Sequence, residues 1–174
     1  MGVQAEPDPA AVVELLQQAI NGHDLDALAA CFASDYRSEF PAHPDRTFRG
    51  HEQMRRNWAQ IFGGVPDLAA TLLACTVAGE TAWAEWDWRG TRRDGAPFAM
   101  RGVTIQGIAG GRIAWVRLYM EPVEAVGVGS DAAVRRDVAG DTPAASEGGR
   151  DDPDRGGDRH TRAARRAAAN GAGT

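Results

Sequence analysis

Apolar residues recur at helical spacing over the first third of the chain and alternate singly after Leu68, so the pattern predicts helices first and strands afterwards. Asp8 and Pro9 supply an N-cap and a first-turn proline, Val12, Leu16, Ala19 and Ile20 form the apolar stripe, and Asn21-Gly22 ends the helix. Asp24 opens a second, shorter helix with Leu25, Leu28, Ala29 and Phe32 on one side, and so short a link makes the two a hairpin. Tyr36 to Phe40 alternates and stops at Pro41, which predicts a short strand and an irregular loop through Phe48. From Gly50 a third helix presents Met54, Trp58, Ile61 and Phe62 on one side and Glu52, Arg55, Arg56 and Gln60 on the other. Gly63-Gly64 and Pro66 end it.

Four strands then follow, over residues 68 to 78, 81 to 90, 97 to 108 and 112 to 121, joined by turns short enough to force an antiparallel meander. Three helices before a long sheet make an α+β design with the helices on one sheet face. Gly102 and Gly107 are expected bulges or bends, as a sheet curving around a hollow requires.

Composition divides the chain. All aromatic residues lie between Phe32 and Tyr119, and from Ala139 onward the sequence is rich in Gly, Ala, Arg, Asp and Pro. The expected organisation is a frayed N-terminus over residues 1 to 8, one domain over 9 to 125, and a disordered tail over 126 to 174 with one short helical turn near Asp131 to Val138. The domain is acidic, which argues against nucleic acid or an anionic membrane as its partner. Cys31 and Cys75 sit in apolar contexts with no metal-ligand spacing, so two reduced thiols and no metal are expected. With neither a signal-peptide pattern nor an apolar run of membrane-spanning length, the expected location is cytoplasmic.

Candidate chemistry centres on Thr81 to Arg89. Alternation puts Trp83, Glu85, Asp87 and Arg89 on one strand face and Trp86 and Trp88 on the other. Turned inward, Glu85 and Asp87 would lie in a partly desolvated hollow, where carboxylate pKa values rise. Turned outward, they would pair with Arg37, Arg89 and Arg101 in a structural ion network. Glu39, with Arg37 beside it, is a third inward candidate, and His43 between two prolines is a candidate proton shuttle at the pocket mouth. Trp58, Phe62, Trp83, Met100, Leu118 and Met120 are candidates for the pocket wall, and each also suits a plain core.

The element order, the Phe32-Ala33-Ser34-Asp35-Tyr36 step, Phe48-Arg49-Gly50, Val65-Pro66-Asp67-Leu68 and Gly111-Arg112-Ile113-Ala114-Trp115 together resemble the SnoaL-like branch of the NTF2-like superfamily over roughly residues 9 to 124. The resemblance implies an NTF2-like cone: three N-terminal helices on a strongly curved, mainly antiparallel sheet enclosing an apolar pocket, often in a homodimer packed sheet to sheet. Members include polyketide cyclases, ketosteroid isomerase, limonene-type epoxide hydrolases and proteins that only bind small molecules. Asp87 falls where the epoxide hydrolases keep the aspartate that activates water. Their arginine two positions earlier is Glu85 here, and their tyrosine and asparagine correspond to Arg37 and Glu39. The final-strand aspartate of the hydrolases and of the cyclases is Leu118. Phe40 and Val103 stand where ketosteroid isomerase keeps its base and its oxyanion-hole acid.

The resulting expectation is a cofactor-independent acid/base enzyme of biosynthesis acting on a hydrophobic small molecule by cyclisation, isomerisation, dehydration or hydrolysis. Asp87 would be the base, Glu85 or Glu39 the partner acid, and Arg37 a stabiliser of negative charge. The alternatives are a non-catalytic small-molecule binder and an oligomerisation module whose tail recruits partners. A homodimer through the outer sheet face is expected in each.

Overall fold

The computed structural model describes residues 8–124 and 126–139. The frayed start, apart from Asp8, and the tail beyond residue 139 lie outside the described residues. The chain forms two units, residues 1–127 and 128–174. The second contains α4 (Ser130–Ala139), a helix longer than the single turn expected there.

In the first unit α1 (Pro9–Asn21) starts as its sequence dictates, with the Asp8 carboxylate accepting from the Ala10 amide and Pro9 in the first turn. Asp24 caps α2 (Leu25–Ala30) by accepting from the amides of Asp26 and Ala27, both at 2.9 Å. The chain then runs through β1 (Phe32–Glu39), one 3-10 turn (Pro44–Arg46), β2 (Phe48–Arg49) and α3 (His51–Gly64). The strand after α2 therefore starts four residues earlier than Tyr36, and the loop ends in a two-residue strand that pairs with β1.

β3 (Ala69–Ala78), β4 (Thr81–Thr91), β5 (Pro97–Ala109) and β6 (Arg112–Pro122) form the expected antiparallel meander. The curled, unclosed sheet has the order β2-β1-β6-β5-β4-β3, and its one parallel pairing joins β1 to β6. That pairing returns the end of the meander to the strand that follows the helices, so β1 and β5 flank β6 on one inner wall. Gly107 marks a register shift between β5 and β6, while Gly102 takes φ +151° where the β6 backbone crowds it.

Small side chains decide where α1 packs. Ala70, Ala82 and Ala84 are buried on the inner faces of β3 and β4, and they let the helix approach the sheet closely. Asn21 locks the contact: its amide donates to the Ala70 carbonyl at 3.0 Å and accepts from the Ala70 amide at 2.7 Å. Val13, Ile20, Leu28, Met54, Trp86 and Ile113 fill the space between the layers.

Candidate functional site

A cavity of about 160 Å³ lies where the helices leave the inner sheet face uncovered beside β1 and β5. Leu16 and Ile20 from α1 and Asn57, Trp58 and Ile61 from α3 form its helical wall. The sheet supplies Phe32, Tyr36 and Ser38 from β1, Trp86 and Trp88 from β4, Thr104 and Gln106 from β5, and Val116 and Leu118 from β6. Phe40 and Phe48 bracket the loop side. A wider groove of about 460 Å³ runs along the α1–α2 hairpin, but no aromatic side chain lines it.

The wall is built on stacked rings. Trp58 packs on Trp88 with centroids 5.4 Å apart, Trp86 meets Trp88 edge-on at 6.4 Å, and Tyr36 meets Phe48 edge-on at 5.9 Å. Burial pushes the Tyr36 phenol above its ordinary range, so it stays neutral. On the sheet side, the Trp86 indole N–H donates to Thr104 Oγ1 at 2.9 Å and the Gln106 amide donates to the same oxygen at 2.8 Å.

Among the described residues, no Asp, Glu, His, Arg or Cys lines this cavity. That corrects the expected orientation of β4. Trp86 and Trp88 look inward, whereas Trp83, Glu85, Asp87 and Arg89 share the outer face. The physical reason is uniformity. Ala82, Ala84, Trp86 and Trp88 make one wholly apolar face, while the other mixes one indole with three charges, and the helices bury the apolar one.

Asp87 accepts from Arg89 Nε at 2.8 Å and Arg101 Nη2 at 2.9 Å, and these partners, Arg101 foremost, hold its carboxyl down to about 2. This is opposite to the upward shift expected of a buried base. Glu85 is exposed, opposite Val103 on β5. Glu39 lies on the outer face between Arg37 at 2.7 Å and Arg117 at 2.9 Å. His43 ties the loop after β1 to the end of β6 through Glu121, 3.0 Å away.

Of the expected wall residues, Trp58 and Leu118 line the cavity. Phe62 instead stacks on the His23 ring at 4.7 Å, and Met100 and Met120 pack into the core beside the cavity rather than lining it. Trp83 is 40 % exposed on the outer face. Tyr36, Ser38, Asn57, Thr104 and Gln106 were not singled out by sequence. The readable signal was in β5, where Thr104 and Gln106 interrupt an inward series otherwise made of Phe98, Met100, Gly102 and Ile108.

Residues 12–116 match the SnoaL-like domain. The chain belongs to the SnoaL-like family. At family level this is a small-molecule-handling fold. Among solved structures, this SnoaL-like chain is similar to a loop-truncation variant of IdmH, with 26 % identity, a TM-score of 0.58, and coverage of 66 % of this chain and 93 % of that one. Wild-type IdmH, a candidate polyketide cyclase from Streptomyces antibioticus, gives 22 % identity, a TM-score of 0.59 and the same 66 % and 93 % coverage. A candidate polyketide cyclase from Sinorhizobium meliloti is 25 % identical with a TM-score of 0.51, over 64 % of this chain and 94 % of that one. No curated protein matches the SnoaL-like chain. Among its described residues, no cluster of His, Cys, Asp and Glu could hold a metal, and no helix is long and apolar enough to cross a membrane.

Proposed function

We propose that this protein binds an uncharged, hydrophobic small molecule in the inner cavity and holds it without a carboxylate proton donor or acceptor. The observation that carries this reading is the chemistry of the wall: stacked aromatic rings, aliphatic side chains and a few neutral polar groups. An ion entering such a space would lose its hydration with no counter-charge to replace it, so the cavity selects against charge. The aromatic walls supply the affinity through apolar area and ring contacts.

Tryptophan fluorescence tests this directly, because Trp58, Trp86 and Trp88 line the cavity. The neutral probe 2-naphthol should quench it saturably, naphthalene-2-carboxylate should bind at least about tenfold more weakly, and Trp58→Arg should abolish the response. Equal binding of the charged probe, or an intact response in Trp58→Arg, defeats the reading.

A second reading, a cofactor-independent enzyme of the polyketide-cyclase kind, is favoured by the likeness to the Sinorhizobium meliloti protein. In it the cavity folds a flexible substrate into a reactive shape, and Tyr36, Ser38, Thr104 and Gln106 orient it. Turnover of a flexible polyketide-like substrate that survives Asp87→Asn but not Trp58→Arg would establish it over simple binding. A homodimer through the outer sheet face belongs to both readings. It is supported by Trp83 and Tyr119, 40 % and 43 % exposed there, with Val103 and Ile105 beside them in register. A cytoplasmic location is likewise proposed, consistent with two free cysteines.

A further inference from the structure

The inner face of β5 holds a hydrogen-bonding group that the protein does not complete. Gln106 is 1 % exposed, and its Oε1 has no hydrogen-bond partner among the described residues. One N–H of its amide is committed to Thr104 Oγ1, which also accepts from the Trp86 indole. Both lone pairs of that hydroxyl are therefore used, and its own proton is left to be donated elsewhere.

Turning the Gln106 amide over does not remove the mismatch. Oε1 would then accept the Thr104 proton, and the amide N–H groups would be left over instead. In either orientation one end of Gln106 is unmatched, and leaving a buried polar group unmatched is costly. Gln106 shares a sheet row with Ser38, the two flanking Val116, and all three line the cavity.

We infer that Gln106 is the specificity-determining residue of the cavity and that it reads a hydroxyl group on an otherwise apolar, uncharged ligand. A hydroxyl donates to the free Oε1 in one amide orientation and accepts from a free N–H in the other, so it pairs with Gln106 both ways. A carbonyl or ether oxygen, which only accepts, leaves Oε1 unmatched in the first orientation. Thr104 and Trp86 act as positioning residues, fixing the amide against the sheet. The ligand class is thus a phenol, enol or alcohol on a hydrophobic skeleton, recognised at the β5 wall while Trp58 and Trp88 cover the apolar body. This inference rests on the binding reading above.

The test uses the full chain and a near-isosteric pair, 2-naphthol and 2-methylnaphthalene, titrated against wild type, Gln106→Leu and Thr104→Val, with circular dichroism confirming the fold. The quantity read is the ratio of the two dissociation constants within each protein, which cancels any general change in the cavity. Gln106→Leu should move that ratio by about tenfold toward the methyl compound, with 2-methylnaphthalene binding as tightly as before or more so. Thr104→Val should move it the same way by a smaller factor, and it carries the test if Gln106→Leu fails to fold. A ratio that moves by less than about threefold in the folded variants overturns the role of Gln106 while leaving the binding reading intact. Failure of both probes to bind wild type would overturn both.

Discussion

Asp87 and Arg101 face each other across the β4–β5 ladder with 2.9 Å between carboxylate and guanidinium, on the side of the sheet away from the cavity. The pair, joined by Arg89, makes Asp87 an anchor of the outer face rather than a group poised to take a proton. A carboxyl depressed in the folded state stabilises the protein above its unfolded pKa, about 4, and that contribution disappears as pH falls through the folded value. With the folded carboxyl near 2, the loss falls between about pH 4 and pH 2. Asp87→Asn should therefore be less stable than wild type at neutral pH, with the gap in denaturant midpoint closing across that window. Carbon-detected NMR should place the Asp87 titration near 2. A midpoint gap independent of pH would remove this account, and Asp87→Asn should leave the 2-naphthol affinity within a few-fold.

Gly102 is expected to tolerate no side chain. A Cβ there would collide with the Tyr119 carbonyl oxygen and crowd Met120, and the φ of +151° is one that other residues rarely adopt. The obstacle is backbone, which cannot rotate away, so Gly102→Ala should cost roughly 3 kcal/mol or more in urea unfolding. Gly110→Ala meets no neighbour within 4 Å and bears only the strain of φ +56°, so it should cost less.

The outer face should control association. Trp83→Arg places a charge beside Ile105 in the exposed outer-face patch and should raise the dimer dissociation constant at least about tenfold in sedimentation experiments, without changing the circular dichroism spectrum. A wild-type chain that is monomeric at high concentration would retire the proposed dimer.

The domain proposed over residues 9 to 125 should stand alone. A chain ending at residue 125 is expected to unfold at the same denaturant midpoint as the full chain and to bind 2-naphthol equally well, because the first compact unit ends near there. A drop in either measurement would assign the later residues a part in the fold or the site.

Much of the architecture was legible because period and punctuation are local. Asp8, Asp24 and Gly50 mark the starts of helices, and the turns at Gly79-Glu80 and Ala109-Gly110-Gly111 bound strands within a residue or two of their observed limits. The β1–β6 pairing was not legible, because it joins residues some eighty positions apart through a parallel contact that no turn announces. The site was misread for a similar reason. Alternation correctly separates Trp83, Glu85 and Asp87 from Trp86 and Trp88, but it does not say which set the helices will cover. The deciding facts are non-local: Arg101 opposite Asp87, Arg117 opposite Glu39, and α1 packed against β3 and β4. Weighing each face as a whole would have chosen the uniformly apolar one.

The period of two along β4 gives neighbouring residues separate employments. Trp86 and Trp88 meet whatever the protein encloses, and Trp83, Glu85 and Asp87 meet whatever approaches from outside. Substitutions can accordingly accumulate in one set without disturbing the other. The same scaffold can change its guest while keeping its neighbours, or change its neighbours while keeping its guest.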